Sequence, residues 1–416
     1  ANCKINEKMV VRGAAGIYYD RIPFSVAFDA MAKNNNSTDF QQQLAILKQK
    51  GEIPASANIQ DMIFEGNLLA ATSDAEYLKA PSAQTFQTQR NTAFSQETRV
   101  FNPEGYKNPY TYQFSIGFQQ QINKTHLFSL DIIHNQSYNL ARLRDLNSPA
   151  ANITGELRSA ADADLTRPVP IFEDAKQQPY AMSGGDTLRG ISRSITMTEM
   201  AGHAIYSALS FNYQKDRGAD KYGYRLNYTL SSLLNDTEDP NFRAADANNY
   251  TNEWAVGLND RAHSFNLLFY YFPVKQWTAT FSANVQSGQP INYTSAYDIN
   301  GDGFSATPRP YFANSLAIIN PDRQLGVSRN SGRLPWAYTF DLGAQYDFKY
   351  HDKKKNHEYG VLLRLDVLNV LNTANLSGYA TNSLWSNQYQ MGGEGSFTPK
   401  SYAPPRQVQL TALWNW

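Results

Sequence analysis

The residues best placed to do chemistry in this sequence are three oxygen ligands in the segment DINGDG, residues 298–303. Asp298, Asn300 and Asp302 occupy positions one, three and five of a calcium-binding loop, and Gly303 stands where such a loop turns sharply. Arg309 replaces the acidic ligand expected at position twelve. Because Asp, Asn and Gly also favour ordinary turns, the segment predicts a surface turn first and a Ca²⁺ site second.

The other reactive residue types show no catalytic or metal-binding arrangement. No two of the six histidines have ligand spacing on one element, which argues against zinc and haem. A glycine-rich phosphate loop and a nucleophile elbow are both missing from the sequence. The single cysteine, Cys3, excludes an internal disulfide. The sequence therefore predicts a protein that is not an enzyme and that needs no cofactor beyond the candidate Ca²⁺. The histidines are His126, His134, His203, His263, His351 and His357.

Charge and hydropathy exclude two further classes. Lysine plus arginine number 37 and aspartate plus glutamate number 37, so the net charge of zero gives no general attraction to nucleic acid. The basic segment HDKKKNHE, residues 351–358, is expected to be a charged turn. No apolar run reaches the roughly 18 to 20 residues that a membrane helix needs. Nevertheless, 26 tyrosines and 22 phenylalanines accompany a mean hydropathy of −0.52, and such amphipathic rings suit an interface.

Ten segments alternate apolar and polar residues with a period of two, which places successive side chains on opposite faces of a strand. In YTYQFSIGFQ, for example, Tyr112 and Phe114 share one face and Gln113 lies on the other. The pattern predicts strands at residues 8–20, 110–119, 126–134, 204–215, 222–231, 262–272, 276–287, 337–348, 358–370 and 405–416.

Short and long connections alternate between these strands, so all short turns lie at one end of the strands. The short links are 122–125, 216–220, 273–275 and 350–356, and the long links are 24–109, 135–203, 233–261, 288–335 and 371–404. This organisation is typical of an all-β, antiparallel outer-membrane barrel with short periplasmic turns and long extracellular loops. Loop 24–109 is too long for a simple connection, and FSVAFDAMAKN and QQQLAILKQKG predict short helices within it.

A barrel requires one face toward lipid and the other toward the lumen. Ion pairing inside a wet barrel and contact with cargo are both consistent with the charged lumen residues. The residues predicted to face lipid are Tyr112, Phe114, Phe211, Leu226, Phe340 and Leu410, and the predicted lumen residues are Gln113, Arg225, Asn227, Asp341, Asp347, Arg364 and Asp366. Pairing through the turn near 350–357 is expected to bring Arg364 opposite Gly343, within reach of Asp341 or Gln345.

The rival fold is a soluble β-propeller or sandwich. Those folds show blade repeats or turns every 8 to 12 residues, and their strands are usually about five or six residues long. The strands predicted here are long enough to cross a bilayer with tilt. Trp414 and Trp416 then fall at the periplasmic interface, where indole rings favour the headgroup region. They resemble the aromatic end that the outer-membrane assembly machinery recognises.

Several phrases resemble the TonB-dependent receptors, and within them the Oar-like branch. They occur in the order of that family and cover nearly the whole chain. The phrases are NPYTYQFSIGFQQQI (108–122), YNLARLRDLN (138–147), YSALSFNYQKD (206–216), DRAHSFNLLFYYFP (260–273), SGQPI (287–291), RNSGRLPW (329–336) and LDVLNVLNTAN (365–375).

The resemblance implies a barrel of about 22 strands that is filled by a plug domain and driven by a TonB-type energy coupler. With about ten strands and no plug, residues 1–416 are expected to be the C-terminal part of such a barrel or one chain of a split barrel. We expect strand 8–20 to pair with a strand from an upstream segment or another chain. A surface lipoprotein or another envelope subunit could dock on the long loops.

Three functions remain open at this point. The first is a TonB-dependent transporter in the outer membrane of a Gram-negative bacterium, in which this chain supplies wall and loops for uptake or export. The second is a structural or assembly subunit that retains a receptor-like barrel. The third is a passive porin, which requires the chain to close alone around an open lumen.

Overall fold

Long antiparallel strands dominate the computed structural model of the chain. The structure describes residues 2–65, 97–150, 158–170, 192–244, 249–295, 329–352, 357–381, 385–386, 388–391 and 398–415. The strands are β1 Asn2–Asn6, β2 Met9–Tyr19, β3 Glu97–Val100, β4 Tyr110–Gln121, β5 His126–Asp145, β6 Ser194–Lys215, β7 Tyr222–Asn235, β8 Ala255–Val256, β9 His263–Tyr271, β10 Trp277–Gln286, β11 Pro290–Ser295, β12 Gly332–Arg333, β13 Ala337–Asp352, β14 His357–Leu368, β15 Leu376–Thr381, β16 Trp385–Ser386, β17 Gln388–Met391, β18 Thr398–Tyr402 and β19 Gln407–Asn415.

The main sheet follows the chain and remains open. Its order is β1-β2-β4-β5-β6-β7-β9-β10-β13-β14-β19, with each neighbouring pair antiparallel. Strand β3 pairs with β6 and β8 pairs with β7. All ten predicted strands are confirmed; in this order of eleven only β1 was missed, and the short strands outside it were not predicted either.

The missed strand is β1, which precedes the first strand that the alternation pattern predicts. It pairs with the start of β2 from Asn2↔Arg12 to Asn6↔Met9, so strand 8–20 has a partner within this chain and our expectation was wrong there. Five residues are too few for a clear period-two signal, because neighbouring turns blur so short a pattern. In the described part of the chain, no strand pairs with Ala14–Tyr19 on the same side, and β2 does not pair with β19.

Strands β5 and β6 extend beyond their neighbours, which corrects the predicted loop 135–203. Residues 135–145 and 194–203 belong to the sheet, and the connection is therefore shorter. A bulge near Asn139, whose φ is 56°, interrupts the register and shifts the alternation. Beyond the bulge, Ala141 and Leu143 are buried by protein. Their apolar side chains therefore do not indicate contact with lipid.

The long connections carry structure of their own. Helix α1 spans Phe24–Ala32, α2 spans Thr38–Gln49 and α3 spans Ala160–Leu165, with short 3₁₀ helices at Ile59–Met62 and Tyr250–Glu253. Both helices predicted within loop 24–109 are confirmed. The predicted loops 288–335 and 371–404 contain the short strands β11, β12 and β15 to β18. None of the helices in the described ranges is long and apolar enough to cross a membrane.

Helix α2 shows why the first long connection folds. The Ser37 side chain accepts a hydrogen bond from the Phe40 backbone N–H at 3.2 Å and caps the helix. Phe40, Leu44 and Leu47 recur at helical spacing and are fully buried. Gly51 follows the helix with a φ of 84°, a conformation that costs glycine little.

These helices help to build a cluster that we call the loop core. It joins the first long connection to the β5–β6 connection and to the extended start of β6, and Gln43 exchanges two hydrogen bonds with the Ser192 backbone at 2.8 and 2.9 Å. The loop core consists of Phe40, Leu44, Leu47, Ile53, Ala57, Met62, Ile63, Val100, Leu146, Val169, Ile195 and Met197.

The registers divide the main sheet into an apolar face and a polar face. Phe114 lies opposite Ala15 on β2 and His134 on β5, whereas Gln113 lies opposite Gly16 and Asn135. Following the pairs across the sheet places Phe211, Leu226, Phe340 and Leu410 with Phe114. We define the apolar face as the side that contains Phe114 and the polar face as the side that contains Gln113.

An introduced arginine is expected to cost more unfolding free energy on the apolar face than on the polar face. If the apolar face contacts lipid, Phe114→Arg is expected to lower the free energy of unfolding by roughly 2 to 4 kcal/mol, the cost of arginine near the bilayer midplane. The matched control Gln113→Arg on the polar face is expected to cost much less. Folded fractions on a heat-modifiability gel and urea midpoints measure both. Equal losses in the two variants would contradict the assignment of faces.

Candidate transport surface and loop rim

The polar face gathers every residue that the alternation pattern assigned to a lumen. Cross-strand pairs connect Gln113 on β4 through β5 and β6 to β7, and connect β7 to Asp341 on β13 and Asp366 on β14. The residues that share this face are Gln113, Arg225, Asn227, Asp341, Asp347, Arg364 and Asp366.

Two ion pairs neutralise part of the charge on the polar face within the wall. The Arg12 guanidinium donates to both Asp131 carboxylate oxygens, at 2.8 and 2.7 Å, in a bidentate pair. Gly117 lies between them on β4, and a Cβ there would stand 2.1 Å from Asp131 Oδ1. Glycine at this position therefore lets an ion pair cross the intervening strand. Period-two alternation does not identify this pair, because its members are 119 residues apart.

Arg364 pairs differently from our expectation. It lies opposite Gln345, while Gly343 lies opposite Asp366, so the predicted register was wrong by two residues. The Arg364 guanidinium donates to Asp366 on its own strand at 2.7 and 2.8 Å. Asp341 instead accepts from the Ser282 hydroxyl at 3.0 Å and from the Asn369 backbone N–H at 2.8 Å.

Arg225 on the polar face lies outside these two ion pairs. It is exposed and has no carboxylate partner in the described ranges. It lines a cavity of about 530 Å³ together with residues of β6, β7, β9 and β10. The polar members of this lining are Asn212, Gln214, Asn227, Asn266, Ser282 and Asn284.

A buried arginine ties together the connections that follow β7 and precede β13. Arg329 is fully buried and forms ion pairs with Glu238 and with Glu253, where the Nε to Oε2 distance is 3.6 Å. Its Nη2 also donates to the Asn235 carbonyl at 2.6 Å. We call this edge of the sheet, where the long connections begin and end, the loop rim. Arg329 opens the phrase RNSGRLPW, and the sequence alone gave no indication that it is buried.

Two other family-like phrases, DRAHSFNLLFYYFP and SGQPI, meet RNSGRLPW at the loop rim. Asp260 accepts from the Leu233 backbone N–H at 2.8 Å and pairs with Arg333 at 2.6 Å. Arg333 also donates to the Gly288 carbonyl at 3.2 Å. A Cβ on Gly288 would stand 1.6 Å from the Leu334 carbonyl oxygen. Glycine is therefore required where SGQPI crosses RNSGRLPW.

The phrase LDVLNVLNTAN ends in a turn stabilised by asparagines. Asn369 and Asn372 have φ angles of 50° and 53°, which asparagine tolerates better than most residues. The Asn369 side chain accepts from the Thr373 backbone N–H at 2.9 Å and donates to the Pro404 carbonyl at 3.2 Å. Asn375 exchanges two hydrogen bonds with the Tyr338 backbone, at 2.8 and 2.9 Å. The turn thus connects the loop ends of β13, β14 and β19.

Burial and two contacts fix the position of Tyr250, which lies in the connection after β7. Its ring lies under the Arg142 guanidinium at 3.7 Å, and its hydroxyl donates to the Leu143 carbonyl. Burial raises the pKa of Tyr250, so the hydroxyl remains a protonated donor at neutral pH. Arg142 itself pairs with Glu199 at 2.7 Å and Asp236 at 2.9 Å.

The apolar face carries aromatic residues toward both edges of the sheet. Near the loop rim, Tyr19, Tyr110 and Tyr138 lie side by side, with ring centroids 5.8 and 5.4 Å apart. Toward the short turns, Phe118 packs on Phe128 and Trp277 packs on Tyr346. Along β4 the nine residues from Tyr110 to Phe118 span about 27 Å, or about 21 Å after a 40° tilt. That height suits the apolar band of an outer-membrane barrel.

Comparison with protein families agrees with this arrangement. A family model described as "Outer membrane beta barrel domain" matches residues 2–409. The chain belongs to this outer-membrane β-barrel family. The protein is therefore located in the outer membrane, and its main sheet is an antiparallel barrel wall.

Among solved structures, this outer-membrane barrel protein is similar to several receptors and transporters. The outer membrane transporter YddB from Escherichia coli aligns with a TM-score of 0.49 at 10% identity over 99% of this chain and 39% of that chain. The siderophore receptor PirA from Acinetobacter baumannii gives 0.45 at 12% identity, over 99% and 40%. A ferric enterobactin receptor mutant from Pseudomonas aeruginosa gives 0.46 at 10%, over 99% and 39%. The chain thus spans about two fifths of their length, and no curated protein sequence matched it.

The predicted metal site stays a prediction. Asp298, Asn300 and Asp302 lie outside the described residues, as does Trp416. Within the described ranges, no three His, Cys, Asp or Glu residues come together as a possible metal site. Trp414 lies on the apolar face of β19 beside Val361.

Removing the buried arginine tests the loop rim of this barrel. Arg329→Met leaves the buried Glu253 carboxylate without its guanidinium, and breaking a buried pair typically costs about 3 to 5 kcal/mol. We expect faster hydrogen exchange in residues 249–256 and 329–334, with the wall unchanged. The control Arg217→Met changes an arginine in an exposed turn over the Phe272 ring and is expected to leave the loop rim protected. Unchanged exchange in Arg329→Met would disprove the role of Arg329.

A second test uses the close approach at Gly288. Gly288→Ala places a Cβ against the Leu334 backbone, so residues 287–290 and 332–335 must separate. We expect a loss near the upper end of the roughly 1 to 3 kcal/mol typical of overpacking. Trypsin cleavage after Arg333 should accelerate. Gly13→Ala is the control, because its Cβ would lie 3.7 Å from the nearest atom; equal cleavage in both variants would refute the prediction.

Proposed function

We propose that this chain supplies the wall and surface loops of a TonB-dependent transporter. The observation that carries the proposal is the division of one continuous sheet into two faces. The apolar face has aromatic residues at both edges, and the polar face carries two internal ion pairs. The TonB-dependent type, and its Oar-like branch, is supported by the ordered phrases that build the loop rim. No covalent chemistry is required for this function.

The same proposal orients the protein. The short turns face the periplasm and the long connections face the cell exterior, as in other barrels of this membrane. The polar face lines the lumen, so Gln113, Arg225, Asn227 and Asp347 are in contact with its contents. Trp414 then anchors the periplasmic interface and, with Trp416, acts as the assembly signal. A Ca²⁺ ion at Asp298, Asn300 and Asp302 would rigidify an extracellular loop.

The partners follow from the open edges of the sheet. Strand β19 pairs with β14 on one side, and no described strand covers its other side. Leu410 on this strand is 75% exposed. A bilayer offers no water to an uncovered edge, so further strands from the same or another chain must complete the wall. We propose that a plug domain fills the lumen, that a TonB-type coupler drives it, and that a surface lipoprotein docks on the long loops.

Two other functions remain as alternatives. A structural or assembly subunit is favoured by the loop core, because folded loops with their own apolar core could hold a larger envelope complex. A passive porin would require the chain to close around an empty lumen, and the open sheet in the described residues does not favour it.

Conductance and uptake together test the proposal. Native protein extracted with its partners and placed in planar bilayers is expected to give no steady open channel, because a plug blocks the lumen. In cells, deleting the inner-membrane coupler should abolish uptake without lowering the amount of protein in the outer membrane. Steady channels formed by the chain alone would establish the porin function. Loss of an envelope complex with uptake intact would establish the structural function.

A further inference from the structure

One transverse row on the polar face contains seven uncharged hydrogen-bonding residues in succession, from β13 to β4, and ends at Val10 on β2. Four of them are asparagines that lie directly opposite one another on β6, β7, β9 and β10. The row continues on both sides without an apolar or charged interruption over seven neighbouring strands. In order it contains Gln119, Ser129, Asn212, Asn227, Asn266, Asn284 and Thr339, and we call it the amide track.

The amide track connects the two edges of the sheet. Gln119 lies two residues before the end of β4 at a short turn, and Thr339 is the third residue of β13 at the loop rim. The row is perpendicular to the strands, and barrel strands tilt by about 35 to 45°. The track therefore crosses the wall diagonally from the loop rim toward the short turns.

Neighbouring rows on the same face lack this uniformity. The row on one side contains Arg12 and Asp131, and the row on the other side contains Arg225, Leu268 and Asp341. An alternating strand pattern requires only that inward positions be polar. It does not require four amides to coincide in register.

The asparagines form two pairs that leave hydrogen-bonding capacity free. Asn227 donates to Asn212 Oδ1 at 2.5 Å, and Asn284 donates to Asn266 Oδ1 at 2.7 Å. Each amide has two donor hydrogens and an acceptor oxygen. The Asn212 and Asn266 NH₂ groups and the Asn227 and Asn284 oxygens have no partner among the described residues. Each pair therefore presents both a donor and an acceptor to the lumen.

A cavity lies over this part of the track. Its volume of about 530 Å³ is within the roughly 300 to 1,000 Å³ of typical ligand sites, and all four asparagines line it. Arg225 lines it as well and has no described carboxylate partner. Asp131 is neutralised by Arg12, and Asp341 is held by Ser282 and Asn369, so these carboxylates do not compete for Arg225.

We propose that this cavity is a binding site for a hydroxyl-rich solute with an acidic group, such as an oligomer of a sugar acid. Hydroxyls both donate and accept, and so match the free groups of the two asparagine pairs. The acidic group meets Arg225 in a charge-assisted hydrogen bond. The proposal rests on the polar face being a lumen that admits a solute.

Equilibrium binding tests this site without requiring transport. The native protein in nanodiscs is titrated calorimetrically with trigalacturonic acid and with the neutral trisaccharide maltotriose. We expect the acidic trisaccharide to bind at least about tenfold more tightly, because one charge-assisted hydrogen bond supplies about that factor. Arg225→Gln should remove the preference.

Two further variants separate the amide track from general effects on the wall. Asn266→Leu replaces the amide by an apolar side chain of nearly the same size. It should lower the affinity for both trisaccharides about two- to tenfold, the range for a neutral hydrogen bond. Thr229→Val lies on the same face one row away and should change neither affinity. Heat-modifiability gels confirm that each variant folds.

Three results would overturn the site: no binding of either trisaccharide, equal binding of the two by the native protein, or unchanged binding in both Arg225→Gln and Asn266→Leu. The outcome is separable from that of transport. Binding without coupler-dependent uptake would reject the transporter function and leave the site intact, whereas uptake without binding would reject only the site.

Discussion

The backbone hydrogen bond is the interaction on which this structure depends. A bilayer provides no water to satisfy peptide N–H and C=O groups, so each strand that crosses it must pair along its length. The main-sheet strands from β4 to β14 meet this requirement through antiparallel registers, with one bulge between β5 and β6. Once the strands are paired, the pleat sends alternate side chains to lipid and to the lumen, and the polar and apolar faces follow.

Some charged side chains of the wall also pair with each other. Arg12 with Asp131, and Arg364 with Asp366, form bidentate pairs beside glycines that leave room for them. These residues are partly exposed, so their value lies in neutralising the surface more than in stabilising the fold. The polar face that remains is dominated by hydroxyl and amide groups, and Arg225 has no carboxylate partner in the part of the chain that the structure describes.

Beyond the membrane band, the balance of forces resembles that of a soluble domain. Most of the large apolar side chains that are fully buried, such as Phe40, Leu44 and Leu146, belong to the loop core, and Ile291 lies in β11 outside the main sheet. At the loop rim, Arg329 is enclosed by Glu238, Glu253 and backbone carbonyls, so its charge is compensated on several sides. The loops therefore form a folded layer with a stability of its own, attached to a wall whose apolar side chains face lipid.

The sequence by itself determined the strands, their faces and the helices of the first loop. Period-two alternation locates β4, β7 and β13 because lipid on one side and polar groups on the other impose opposite requirements on successive residues. It could not reveal the extended ends of β5 and β6, since Ala141 and Leu143 are buried there by protein instead of lipid. Only the tertiary structure decided the register, which places Arg364 opposite Gln345 and unites Arg12 with Asp131. Register depends on turn geometry and strand tilt, and a slip of two residues preserves every face while changing every partner.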